Sequence, residues 1–282
     1  MTRTIHVAGI SIGPDADQLV LIAGPCVIES LDLCREVAAF AKAACVEAGL
    51  GFIFKASFDK ANRTAFDAFR GPGLDAGLEV LAAIRSEYAV PVLTDIHEPW
   101  QAKPVAQVVD ILQIPAFLCR QTDLLVAAAR SGKPVNVKKG QFLAPWDMAN
   151  VAAKITAEGN DQILLTERGV SFGYNTLIVD MCSLPLMRSL GWPVCLDATH
   201  SVQQPGAAGR QSGGKREFIP YLARAGAAVG IDALFMEVHP DPEHGLSDPA
   251  TMFPLNRLPQ LLKDVAGIYK LVRSSYGPRS SA

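Results

Sequence analysis

The chain has 282 residues, 49% of them hydrophobic and 19% charged, with a formal net charge of −2. That balance supplies a large core and excludes a long disordered tract. The absence of any basic run or stripe argues against an electrostatic nucleic-acid binder, and no apolar run approaches the ~20 residues needed to span a bilayer. The start MTRTIHVAGI lacks a charged region followed by an apolar stretch and a cleavage site, so a cytoplasmic protein is expected. Six cysteines, at 26, 34, 45, 119, 182 and 195, form no C-x-x-C pair and are expected to be reduced.

In chain order, residues 4–13 alternate as a short hairpin does, giving an N-terminal hairpin within 1–14. QLVLIAG (18–24) reads as a buried strand, and 31–49 as an amphipathic helix closed by Gly49. Strand 51–55, helix 74–88, strand 91–95 and a short helix from Pro99 follow, then strand 109–114 and helix 122–132. Next come strand 134–139, helix 144–159, strand 162–167, and a helix over 176–191 expected to kink or break at its internal proline. Strand 193–197, helix 216–230, strand 232–238 and a helix near 255–275 complete the series, with a tail expected to fray over 276–282.

Strands of four to seven residues alternating with helices imply a parallel sheet. An open doubly wound sheet would give only some strand ends a role. Here the apolar runs stop at Cys26, Lys55, Asp95, Gln113, Lys138, Arg168, His200 and Glu237. That rhythm favours a single α/β domain, a (β/α)8 TIM barrel whose strand ends share one rim.

Lys55 and Lys138 each end an apolar strand, where burial costs an ammonium several kcal/mol unless an anion compensates. With Arg168 after the sixth barrel strand and Lys60 and Arg63 in the loop after the second, several cations share the rim and imply an anionic ligand. Taken alone, Lys60 and Arg63 read as solvated loop charges. Either strand-end lysine also suits a Schiff base, although an anionic ligand would raise its pKa. Cys26, His200, Glu237 and Asp248 are all able to bind a divalent metal. Spacing alone favours an ordinary structural role for each, since no H-E-x-x-H or paired C-x-x-C supports a metal. His239 and His244 sit in a Pro-rich stretch read as exposed. Gly209 to Arg216 nearly fits a nucleotide phosphate loop, but Arg216 stands where the magnesium-binding hydroxyl belongs.

AGPCVIES, FKASFDKANRT, TDIHEP, DILQIPAFLCRQTDLL, NVKKGQFLAPWDM, LTERGVSFGYNTLIVDM, DATHSVQ and EVHPDPEHGLSDP occur in this order. Together they resemble 3-deoxy-D-manno-octulosonate 8-phosphate synthase. The resemblance implies a (β/α)8 homotetramer that condenses phosphoenolpyruvate with D-arabinose 5-phosphate for lipopolysaccharide inner-core synthesis. It places Lys55, Ser57, Lys60, Gln113, Ala116, Lys138 and Arg168 around phosphoenolpyruvate. It places Asn62, Arg63, Thr64, Asp95, Gln203 and Arg120 around the sugar phosphate, with Phe117 and Arg120 near a neighbouring subunit's pocket. Lys60, Lys138, Asp95 and His200 would be catalytic. Cys26 marks the metal-dependent branch of that family, with Cys26, His200, Glu237 and Asp248 as ligands to zinc, iron(II) or manganese. The related synthase that uses erythrose 4-phosphate, 3-deoxy-7-phosphoheptulonate synthase, typically carries K-P-R-[ST] where this chain reads Lys60-Ala61-Asn62-Arg63-Thr64. A barrel that merely binds sugar phosphates is the non-enzymatic alternative.

Overall fold

A computed structural model describes residues 2–207, 209 and 212–276. The chain opens with an antiparallel hairpin, β1 (Ile5–Val7) and β2 (Ile10–Ile12). There follow β3 (Val20–Gly24), α1 (Leu31–Ala48), β4 (Gly51–Lys55), α2 (Leu74–Tyr88), β5 (Val92–Asp95) and α3 (Ala102–Val108). Next are β6 (Ile111–Ile114), α4 (Thr122–Arg130), β7 (Val135–Lys138), α5 (Met148–Thr156) and β8 (Ile163–Glu167). A small hairpin, β9 (Val170–Ser171) with β10 (Leu177–Ile178), precedes α6 (Ser183–Ser189) and β11 (Val194–Asp197). The chain then runs through β12 (Gln203–Gln204), β13 (Gly213–Gly214), α7 (Ile219–Val229), β14 (Ala233–His239), β15 (Phe253–Pro254) and α8 (Leu258–Tyr276).

Eight parallel strands pair in the order β3-β4-β5-β6-β7-β8-β11-β14, and β14 returns to pair with β3. The sheet is therefore a closed barrel, as the strand-end rhythm predicts. Each strand reads as a continuous apolar run because both of its faces are buried, yet alternation persists beneath that reading. Ile22, Ile53, Leu93, Ile111, Leu164, Cys195 and Phe235 form one cluster inside the barrel, and Ile5, Val7 and Ile12 of the hairpin join it. Leu21, Phe52, Phe54, Leu112, Val137, Leu165 and Leu196 belong to the cluster shared with the helices. The hairpin thus plugs the amino end of the barrel.

Helix ends follow local chemistry. Ser30 caps α1 by accepting from Leu33 N–H, and Gly49 ends it in the left-handed conformation at φ 71°. The expected helix over 176–191 is much shorter. Residues 177–178 pair with 170–171, and α6 starts at Ser183 with Pro185 in its first turn. A proline there removes no intrahelical hydrogen bond, whereas a helix begun at 176 would lose one and crowd the carbonyl four residues earlier. From 277 onward the tail lies outside the described residues.

Candidate active site

The alternation that turns Ile53 and Leu93 inward also turns in the residues two positions further on. Lys55, Asp95, Lys138, Asp197 and Glu237 all lie at the carboxyl end of the barrel and are buried. They line one cleft together with Lys60, Asn62, Arg63, Thr64, His97, Gln113, Ala116, Phe117, Arg168, His200, Gln203 and Asp248. Ser57 and Cys26 are buried just behind it. Ser57 donates to Asp95, and the Cys26 thiol donates to Ser247 Oγ at 3.0 Å. Arg120 is exposed and absent from this cleft's lining.

The two strand-end lysines already have partners. Lys55 Nζ lies 2.8 Å from Glu237 Oε1 and donates to the Cys26 carbonyl at 2.9 Å. Lys138 Nζ bonds to Asp197 and sits 3.1 Å from the centroid of the Phe235 ring. An anionic ligand is therefore not required to compensate them, which corrects the inference from burial alone. Burial holds Lys138 below its ordinary pKa despite Asp197. Lys60 also departs from the solvated reading. Its side chain is 12% exposed and its Nζ lies 3.5 Å from Glu237 Oε1.

Free donors remain further out. Arg168 gives Nη2 to Gln203 Oε1 at 2.9 Å, and its buried Nη1 has no hydrogen-bond partner among the described residues. Burial lowers its pKa, an effect no smaller neighbour reverses. The turn carrying Arg168 is held from behind, where Glu167 Oε1 accepts the backbone N–H of Arg168 at 2.9 Å and of Gly169 at 2.7 Å. Arg63 reaches from the loop after β4 to Ser247 Oγ at 2.7 Å and the Leu246 carbonyl at 3.3 Å. Asp95 accepts from Ser57 and Gln113. Burial alone would raise its pKa, but Lys55 and Lys60 outweigh burial and hold it below the usual carboxylate range.

The proposed metal ligands converge. Ligand atoms of Cys26, Glu237 and Asp248 all lie within 4.8 Å of one another. His200 Nε2 lies 3.5 Å from Glu237 Oε2, a buried oxygen with no hydrogen-bond partner among the described residues. Asp197 Oδ2 sits 2.7 Å from His200 Nδ1, which places the proton there and leaves Nε2 with its lone pair inward. An orphaned carboxylate oxygen, an oriented imidazole, a thiol and a second carboxylate suit a divalent first-row ion. Burial raises the Cys26 pKa well above its ordinary value, and Glu237 adds to the rise, so binding an ion there must displace the thiol proton. Asp248 holds a left-handed backbone, φ 46°, as a non-glycine residue at this site.

Other residues near the rim complete the comparison with the sequence reading. Asp197 anchors both Lys138 and His200, and an aspartate closing a strand two layers above the apolar floor was the available signal. His97 lines the cleft with Nδ1 unpartnered, edge-on to Phe58. His239 is the last residue of β14 and is buried, contrary to the exposed reading. Its Nδ1 accepts from Asp241 N–H at 3.0 Å. His244 is exposed as expected, its side chain 83% accessible. Gly213–Gly214 pair with Gln203–Gln204 in a small antiparallel bridge, which is no phosphate loop. Gly24 is different in kind, because a Cβ built there would lie 1.9 Å from the Lys55 carbonyl oxygen.

A family model described as the DAHP synthetase I family matches residues 2–273. The chain is 60% identical over 259 residues to a 2-dehydro-3-deoxyphosphooctonate aldolase of Cyanothece sp., covering 92% of this chain and 94% of that protein. A protein of the same description from Trichlorobacter lovleyi is 56% identical over 273 residues, 97% of this chain and 100% of the relative. One from Geobacter sulfurreducens is 54% identical over 273 residues, with the same coverage.

Proposed function

This chain belongs to the DAHP synthetase I family and, within it, to the 2-dehydro-3-deoxyphosphooctonate aldolases, and from that membership we propose how its site works. It is a transferase that condenses phosphoenolpyruvate, D-arabinose 5-phosphate and water into 3-deoxy-D-manno-octulosonate 8-phosphate and inorganic phosphate. The product serves lipopolysaccharide inner-core synthesis. The carrying observation is the single cleft that gathers Lys60, Arg63, Lys138 and Arg168 beside Cys26, His200, Glu237 and Asp248.

Lys55, Ser57, Lys60, Gln113, Ala116, Lys138 and Arg168 receive phosphoenolpyruvate, the unpartnered Nη1 of Arg168 taking an anionic oxygen. Asn62, Arg63 and Thr64 receive the sugar phosphate, with Asp95 and Gln203 nearer its hydroxyls. Two anions that repel in water are held together there, which is catalysis by proximity. C3 of the enol ether bonds to the aldehyde carbon, whose oxygen takes up a proton. Water adds at C2 and loses a proton, and the resulting hemiketal phosphate breaks its C–O bond to release inorganic phosphate. Lys60, Lys138, Asp95 and His200 line that same cleft, and in this reading they move those protons. A divalent ion, whether zinc, iron(II) or manganese, held by Cys26, His200, Glu237 and Asp248 would supply Lewis acidity toward the aldehyde oxygen or the attacking water.

Phe117 is 52% exposed at the mouth and Arg120 is exposed outside the cleft lining, which supports the reading that both serve a neighbouring copy in a homotetramer. Among the described residues no helix is long and apolar enough to cross a membrane, in keeping with a cytoplasmic setting. The Asn62-bearing loop, read in place of K-P-R-[ST], favours the pentose phosphate over erythrose 4-phosphate. Phosphate release followed with each aldose phosphate separates the two. Release with arabinose 5-phosphate is expected, and a preference for erythrose 4-phosphate would reverse the assignment.

A further inference from the structure

Beneath the cleft a chain of buried polar side chains crosses neighbouring strands, and none of the substrate-facing roles uses its lower half. Asp95 on β5 accepts from Gln113 Nε2 on β6. Gln113 Oε1 accepts from Asn136 Nδ2 on β7 at 2.8 Å, and Asn136 Oδ1 accepts from Thr166 Oγ1 on β8 at 2.5 Å. Thr166 pairs across the sheet with Cys195 on β11, whose thiol burial pushes up to about 12. Asn136, Thr166 and Cys195 have no solvent-accessible surface.

The direction of this chain is fixed at one end. An ionised carboxylate only accepts, so Gln113 must turn its NH2 toward Asp95 and its carbonyl oxygen away. That oxygen needs a donor, which is the amide of Asn136. The Asn136 oxygen then needs the Thr166 proton. Every donor points toward Asp95, and the Ser57 hydroxyl reaches the same carboxylate from the other side.

We propose that Asn136 and Thr166 are positioning residues that fix the orientation of the Gln113 amide, and through it the placement of Asp95 against the sugar substrate. The assignment rests on the functional reading above for what Asp95 touches, but the orientation itself does not. A reversed Gln113 would set its oxygen against Asp95, two acceptors face to face in a buried pair.

Two measurements test it on the full chain. In the first, kcat/KM for arabinose 5-phosphate is measured for Thr166→Ser, Thr166→Val and Asn136→Asp. Thr166→Ser keeps the hydroxyl and retains near wild-type values, whereas Thr166→Val loses about tenfold. Asn136→Asp replaces the amide donor with a carboxyl that serves only while it carries its proton. Its activity therefore acquires a new decline toward high pH that the wild type lacks. The titratable neighbours of position 136 are Lys138 on its own strand, Asp95 through Gln113 and Cys195 through Thr166, and all three are unchanged in that variant. In the second measurement, the Gln113 side-chain amide resonance is identified by its loss in Gln113→Glu. It is expected to hold its position in Thr166→Ser and to move in Thr166→Val. An unmoved resonance in Thr166→Val, or equal impairment of Thr166→Ser and Thr166→Val, overturns the relay. Wild-type protein that releases no phosphate with the pentose phosphate overturns the functional reading instead, and the resonance still decides the relay.

Discussion

The two halves of the barrel interior are built from the same eight strands and share almost no chemistry. At the amino end Ile5, Val7 and Ile12 of the hairpin close over Val20, Ile22, Ile53, Leu93 and Ile111. At the carboxyl end Lys55, Asp95, Lys138, Asp197 and Glu237 occupy the next inward positions. Phe235 belongs to the apolar cluster, yet its ring lies 3.1 Å from Lys138 Nζ. The boundary between packing and charge is therefore one side chain thick. Apolar contacts stabilise without specifying a reaction, while paired buried charges specify a site and add little net stability. The first half carries the fold and the second half uses it.

Asp197→Ala should break this division most severely. Removing the carboxylate strands the buried Lys138 ammonium and frees His200, so about 3–5 kcal/mol of stability should disappear with the activity. Urea denaturation beside a turnover assay checks this, and a stable variant would show that the pair contributes little. Ile53→Ala, at the opposite end, should cost about 2–5 kcal/mol while turnover per folded molecule stays at the wild-type value. A large fall in turnover there would mean the apolar floor tunes the site.

Excess chelator should abolish turnover while the barrel remains folded by circular dichroism, and Cys26→Ala should reproduce that loss. Full activity of that variant in chelator would defeat the metal assignment. The gentlest probe is acid. Asp95 titrates below its ordinary value of 3.8 in the folded chain, so the unfolded chain binds its proton first as pH falls. Its contribution is fully present above that value and is lost as pH drops through the lower folded pKa. Thermal midpoints of Asp95→Asn should accordingly fall less steeply than wild type in that window, and parallel curves would contradict the sign.

Much of this was readable from sequence, because barrel strands are short, apolar and bounded by turns. The helix over 176–191 was misjudged because Leu177 and Ile178 carry helical spacing while pairing locally with residues 170–171. Strand endings pointed to the right rim, but side-chain pairing within it could not be read. Lys55 and Glu237 are 182 positions apart, and only closure of the barrel brings β14 beside β3. Lys60 looked like a solvated loop charge and His239 like part of an exposed stretch for the same reason: burial comes from elements distant in the chain. The resemblance to a known family filled part of that gap, naming residues whose contacts spacing alone left open.

Gly24 is not among the residues lining the cleft, yet its missing side chain sets how near the first barrel strand runs to the second. A survey of tolerated substitutions should therefore find this position as intolerant as the residues lining the cleft, with alanine already too large. Evolutionary freedom at the rim is limited by where backbones touch as well as by what the cleft must hold.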